Sequence, residues 1–320
     1  MGSTTAPVAV PRPDPVTPMP RERPPRPSNV TLKVTMAISG TVFALYVLVH
    51  MIGNLKVYTG AEHFDDYAHW LRTLAEPLSA VAARVKASTT FAIDALYKQM
   101  KAQGIDVVGF GAGEPNFNTP DHIKEAAIKA ILDNNTRYTP TAGTEQLRAA
   151  VCRRILADCG VSYEPKQILV SSGAKHNLFI ALMCLLNEED EVILPAPYWV
   201  SYYEQVKMAG GIPVVVDTDE FTDFKISPQA LEAALTDKTK AIILNSPSNP
   251  AGMVYTKEEL TAIAEICVRE GIYVISDEIY SKLIYDDIKF TSIAAIDEQI
   301  KALTVMVNGV SKSYAMTGWR

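Results

Sequence analysis

Short apolar runs at 167–170, 191–194, 212–216, 240–244, 272–275 and 304–307 alternate along the chain with longer segments whose apolar residues recur every three to four positions. Several runs are apolar at both alternate positions, which is the pattern of strands covered on both faces. The alternation predicts an α/β fold with a doubly wound, mostly parallel sheet. In such a sheet a ligand is expected outside the carboxyl ends of the strands. Upstream, 91–103 has helical periodicity with Gly104 as its stop, and 106–110 reads as a short strand. Thr119 and Pro120 read as N-cap and first position of a helix to about 134. A second helix runs from about 144 to 159 and ends at Gly160.

The first eighty residues have a different texture. Residues 1–33 hold five Lys/Arg against two acids and nine of the twenty prolines. Residues 1–29 are expected to be a disordered, Pro-rich leader. Between Lys33 and Lys56 lie twenty-two residues without a charged side chain, long enough to cross a bilayer as one helix at about 34–55. Arg21, Arg23, Arg26 and Lys33 would keep its N-terminus cytoplasmic. His50 sits near the far end of this run. In a soluble helix it is a satisfied core histidine, whereas in a membrane an ionisable residue is a functional hypothesis, with haem ligation one role.

Charge narrows the function. A formal net charge of −6 and a pI near 5.5 argue against a nucleic-acid binder, which needs a basic stripe for phosphates. They suit a small-molecule site. The four cysteines form no CxxC pair and lie in periodic apolar segments, so they read as reduced packing residues and no metal site is expected.

Chemistry-bearing residues follow the predicted strands. After Val170 comes Ser171-Ser172-Gly173-Ala174-Lys175-His176, small residues opening a helix whose N–H groups and dipole suit an anion. After Leu244 comes the Asn245-to-Gly252 turn, which projects the Asn249 amide. Asp277 and Tyr280 follow Ile275, and Lys312 follows Val307. Each has a bland reading as cap, turn or rim residue. Jointly they offer an anion cradle, a carboxylate for a ring nitrogen, donors for a ring oxygen and an amine for an aldehyde, the inventory of pyridoxal 5'-phosphate.

The strings GAGEPNF, YTPTAG, APYWVSY, NSPSNPAG, SDEIY and SKSYAMTGWR make residues 79–320 resemble the class I aminotransferases of the aspartate aminotransferase fold. The resemblance covers an N-terminal arm and most of the large cofactor domain. It implies a pyridoxal-phosphate transaminase exchanging an amino group between an amino acid, aspartate or a broad and aromatic range, and a 2-oxo acid such as 2-oxoglutarate. By that resemblance Lys312 bonds the cofactor aldehyde and moves the substrate proton, and Asp277 keeps the ring nitrogen protonated. Asn249 and Tyr280 bond the ring oxygen, Trp199 stacks on the ring, and Gly173, Ala174, Lys175 and Arg320 hold the phosphate. Tyr138 reaches that phosphate from the neighbouring subunit of a homodimer. Gly113, Trp199 and Asn249 meet the substrate. Many relatives carry a serine where this chain has Gly309, so one phosphate hydroxyl is absent or comes from Ser311. The resemblance also implies a further C-terminal domain beyond Arg320, with the arginine for the substrate carboxylate, so the chain is expected to be truncated.

VHMIGNLK and DYAHWLR make residues 28–78 resemble the start of the cytochrome b membrane subunit of succinate dehydrogenase. This implies domains at 1–29, 30–78 and 79–320, and a haem role for His50. The competing expectations are a membrane-anchored haem or respiratory subunit and an inactive chimeric fragment. Under the leading reading the aminotransferase part is cytoplasmic, with membrane contact through 34–55.

Overall fold

The computed structural model describes residues 89–109 and 113–319. The leader, the 34–55 run, His50 and Arg320 lie outside these. Among the described residues no helix is long and apolar enough to cross a membrane, and no group of side chains could hold a metal ion.

Among the described residues three helices come first, α1 (Thr89–Ala102), α2 (Asp121–Leu132) and α3 (Glu145–Cys159). The α3 ends match their sequence signals. Thr144 accepts the Leu147 N–H, and Gly160 takes φ +74° as the C-cap, a conformation that costs a residue without Cβ little. Thr119 does not cap α2, whose N-cap is Pro120. Its hydroxyl instead donates to the Ala315 carbonyl and accepts the Trp319 indole N–H at 3.2 Å, so a tertiary bond takes the side chain from the local one.

The sheet has five parallel strands: β1 (Glu191–Ala196), β2 (Ile212–Asp217), β3 (Thr239–Asn245), β4 (Tyr273–Asp277) and β5 (Thr304–Val307). Their spatial order is β2-β1-β3-β4-β5. Helix α4 (Ala174–Leu185) precedes β1, α5 (Ser201–Met208) joins β1 to β2, and α6 (Pro228–Ala234), α7 (Lys257–Glu270) and α8 (Glu298–Leu303) make the later crossovers. A last short helix, α9 (Val310–Ser313), follows β5.

Period-2 alternation divides the core. Ile193, Ile242, Leu244 and Val274 pack with Leu231, Leu260, Ile263, Cys267 and Ile300, on the side covered by α6, α7 and α8. Val192, Leu194, Ala241, Ile243 and Ile275 pack with Leu178, Leu182, Tyr202 and Val206, on the side covered by α4 and α5. Because the β1–β2 connection uses one face and the later ones use the other, the winding reverses beside β1. That opens a crevice at the carboxyl ends there. The α7 start is fixed by a capping box, Thr256 bonding the Glu259 N–H and Glu259 the Thr256 N–H, an arrangement that satisfies two orphan donors.

Two expected strands are absent. Residues 167–170 form the end of a 3-10 turn (Pro165–Gln167) and an extended link in which Val170 N–H reaches the Ala142 carbonyl at 3.1 Å. Residues 106–109 form no strand either. Among the described residues neither run has a strand to pair with, and at 167–170 the backbone N–H groups find other partners.

Candidate active site

Asp277 ends β4 as an apolar strand end that carries a carboxyl into the core, 3 % exposed. Tyr202 donates its hydroxyl to Asp277 Oδ2 at 2.6 Å, and the Ile279 N–H donates to Oδ1 at 3.2 Å. Burial pushes the carboxyl above its usual range, and these two bonds pull it down, because hydrogen bonds to the ionised form favour it. Tyr202 is held well above the ordinary phenol range by burial and by the Asp277 charge, so it remains a neutral donor.

Across the end of the sheet, Asn249 donates through Nδ2 to the Tyr280 hydroxyl at 3.3 Å. The Tyr280 phenol is raised, first by burial, with the Asn249 bond opposing it. The Lys312 Nζ stands 5.9 Å from the centre of the Tyr280 ring and donates to the Gly113 carbonyl. Lys312 lies in α9, immediately beyond β5, whose Val307 is the register partner of Asp277. Tyr280 therefore has the lysine amine on its ring and the Asn249 amide at its hydroxyl.

On the other flank, Gly173 caps the twelve-residue α4 at φ +93°. The N–H groups of Ala174 and Lys175, at the first two helical positions, have no partner within the helix by geometry. The Lys175 Nζ lies 4.8 Å from the centre of the Trp199 ring, and the Lys175 carbonyl accepts Gln205 Nε2 at 2.8 Å. Trp199 meets Tyr202 edge-on at 5.4 Å. Contacts thus run unbroken from Lys175 through Trp199 and Tyr202 to Asp277.

Tyr138 is not in this connected set; it stands fully exposed before α3. Gly113 enters through its carbonyl. Gly309, where a Cβ would meet Ile279 Cδ1 at 3.1 Å, keeps the approach of β5 to the Asp277 turn close.

Three contributors escape the sequence pattern. Tyr202 follows Trp199 by three positions, a helical spacing that puts both on one face, but Tyr203 is its equal in sequence. Asn245 reads only as part of a turn. Glu278, beside Asp277, is 2 % exposed and accepts the hydroxyls of Ser276 at 2.9 Å and Ser292 at 2.6 Å. Burial raises its carboxyl to about 7 against those two bonds.

Comparison with known proteins yields a consistent result. The family model for aminotransferase class I and II matches residues 105–320. The chain is 52 % identical over 243 residues to an aspartate aminotransferase of Geobacillus stearothermophilus, covering 76 % of this chain and 62 % of that protein. Among solved structures it resembles the aspartate aminotransferase of Thermus thermophilus with maleate, at TM-score 0.73 and 41 % identity, covering 76 % and 62 %. The aspartate aminotransferase of Rhizobium meliloti gives TM-score 0.73 and 39 % identity, covering 76 % and 61 %. The chain therefore spans about three fifths of the length of these relatives.

Proposed function

The chain belongs to the class I and II aminotransferases, and from that premise we propose that it binds pyridoxal 5'-phosphate and exchanges an amino group between an amino acid and a 2-oxo acid in a ping-pong cycle. The observation that carries this reading is Asp277, a buried carboxyl raised by burial with a phenol and a backbone N–H on it. A protonated ring nitrogen is a cation that such a site would favour, since an opposite charge restores ionisation to a buried acid. The remaining donors suit the rest of the same molecule. Asn249 and Tyr280 present an amide and a phenol for a ring oxygen, and Trp199 presents an aromatic face. Gly173, Ala174 and Lys175 suit the phosphate at a helix N-terminus, and the sequence resemblance adds Arg320.

When bound, pyridoxal phosphate supplies an aldehyde for an amine and an electron sink for charge at the substrate α-carbon. Lys312 would offer the amine that such an aldehyde bonds, and its free amine could take and return the proton at the substrate α-carbon. Asp277 holds the ring-nitrogen proton, and Tyr202 orients the Asp277 carboxylate and keeps it ionised. Asn249 and Tyr280 draw charge from the ring oxygen. Gly113, Trp199 and Asn249 border the substrate. Aspartate is the favoured amino donor, a reading supported by the names of the relatives and by maleate, a dicarboxylate, in the Thermus structure, and a 2-oxo acid such as 2-oxoglutarate is the expected acceptor. A second copy of the chain would bring Tyr138 to the phosphate, as the fully exposed position of that side chain allows.

Borohydride reduction of the cofactor-loaded chain, followed by peptide mapping, tests the reading. The label is expected on Lys312, and an unlabelled Lys312 would sink it.

A further inference from the structure

Asn245 ends β3 and is the register partner of Asp277 at the end of β4. Beyond this pair the strands part, one into the 246–252 turn and the other toward Tyr280, so the ladder has no further rung to hold them. The Asn245 side chain supplies one. Its Nδ2 donates to the Asp277 carbonyl at 2.9 Å, and its Oδ1 accepts the Asn249 N–H at 2.7 Å. The Ser246 N–H adds a longer bond to the same carbonyl, 3.2 Å. One planar amide thus bonds the backbone of the residue with the buried carboxyl and the backbone of the residue that donates to Tyr280.

An ordinary asparagine turn uses the side-chain oxygen alone, bonding an N–H a few residues ahead. The bond to Asp277 crosses to the neighbouring strand, and closing the turn does not require it. Both groups that Asn245 joins belong to the site described above, one facing each edge of the ring that the site is read as holding. Displacing Asn249 relative to Asp277 by a fraction of an ångström weakens a hydrogen bond at one edge or the other, since such bonds lose strength steeply with geometry.

We propose that Asn245 is a positioning residue, its amide setting the spacing between Asp277 and the Asn249–Tyr280 pair. This rests on the reading that the site binds pyridoxal phosphate. Asn245 touches no reacting atom; it acts through Asn249. Donors on the ring oxygen draw charge from it and so lower the pH at which the lysine-bound cofactor loses its proton. A loosened Asn249 raises that pH.

The test is a pH titration of the visible absorbance of the cofactor-loaded chain in four forms: wild type, Asn245→Ala, Asn249→Ala and the double variant. The Asn245→Ala midpoint is expected to rise by roughly 0.5 to 1 unit, the weight of one hydrogen bond. The double variant is expected to titrate like Asn249→Ala alone, because interacting residues are not additive. In the cofactor-free chain, amide hydrogen exchange at Asn249 should accelerate about tenfold in Asn245→Ala while Ile243 and Ile275 stay protected. Asn245→Ser, which keeps a small polar group, carries the same measurements if the alanine variant does not fold. An unmoved midpoint, or additive shifts in the double variant, would overturn the proposal and leave the cofactor reading standing. A wild-type chain that gives no visible band with pyridoxal phosphate would overturn both.

Discussion

Asp277 and Glu278 are neighbours in sequence, both are buried, and burial raises both carboxyls, yet they serve opposite faces of one sheet. Asp277 faces the α4 and α5 side, where Tyr202 and the Ile279 N–H bond it. Glu278 faces the side where Ile293 packs, and its Oε1 collects two serine hydroxyls. Glu278 holds the Ser276 of β4 to the Ser292 segment, all within the wall of the core. Asp277 stands at the carboxyl end of β4, joined through Tyr202 to the α4 and α5 side. Burial and a raised carboxyl alone do not mark a functional group; the difference is in the partners each acid has. A buried acid clamped by serines is a structural part, whereas one joined through a phenol to Trp199 and Lys175 stands among the other candidate residues.

Breaking each acid in turn should separate these roles. Asp277→Asn has the largest expected effect on turnover, a fall of about 10²- to 10³-fold, because a buried charge pair that loses one partner costs about 3–5 kcal/mol. Its thermal midpoint should hold or rise, since an uncompensated buried carboxyl is removed. Steady-state kinetics beside a melting curve reads both, and equal losses in the two would erase the contrast.

The second effect is on stability. Burial lifts the Glu278 carboxyl from an ordinary 4.5 to about 7 in the fold, so its folded value is the raised one. Its contribution is then fully present below about pH 4.5 and is lost as pH rises through 7, on the order of 3 kcal/mol. Denaturant midpoints at pH 5 and pH 8 should therefore differ more in wild type than in Glu278→Gln. The raised Asp277 carboxyl acts in the same direction in the empty chain, but loading pyridoxal phosphate should cancel its share alone. A pH slope that the cofactor abolishes entirely would put the whole effect on Asp277.

The smallest effect is expected from Tyr202→Phe. It removes one hydrogen bond to a charged group, worth about 1.5–3 kcal/mol, and should weaken cofactor retention and turnover by about 10- to 100-fold, with little change in melting. Equilibrium dialysis of pyridoxal phosphate measures it; a retained affinity would mean that the Ile279 N–H holds Asp277 unaided.

Much of this site was legible in one dimension. Asp277, Asn249 and Lys312 each follow an apolar run, and a parallel sheet brings the ends of such runs to one edge whatever the helices between them contain. Asn249, Tyr280 and Lys312 do meet there, and so do Lys175 and Trp199. The runs at 106–110 and 167–170 misled because four or five apolar residues cannot announce whether a partner strand exists. Thr119 misled because its hydroxyl bonds residues near 315–319, nearly two hundred positions away.

What the sequence determined by itself was the parallel architecture, through runs apolar on both faces, and the set of side chains that stand at strand ends. Tertiary structure alone decided which of Asp277 and Glu278 faces the α4 and α5 side, that Tyr202 rather than Tyr203 reaches Asp277, and that the Asn245 amide spans two turns. The physical reason is that hydrophobic periodicity is written in neighbouring positions, whereas a buried polar group is satisfied by whatever donor the packed chain carries to it. For Asp277 that donor is seventy-five residues away in the chain and 2.6 Å away in the fold.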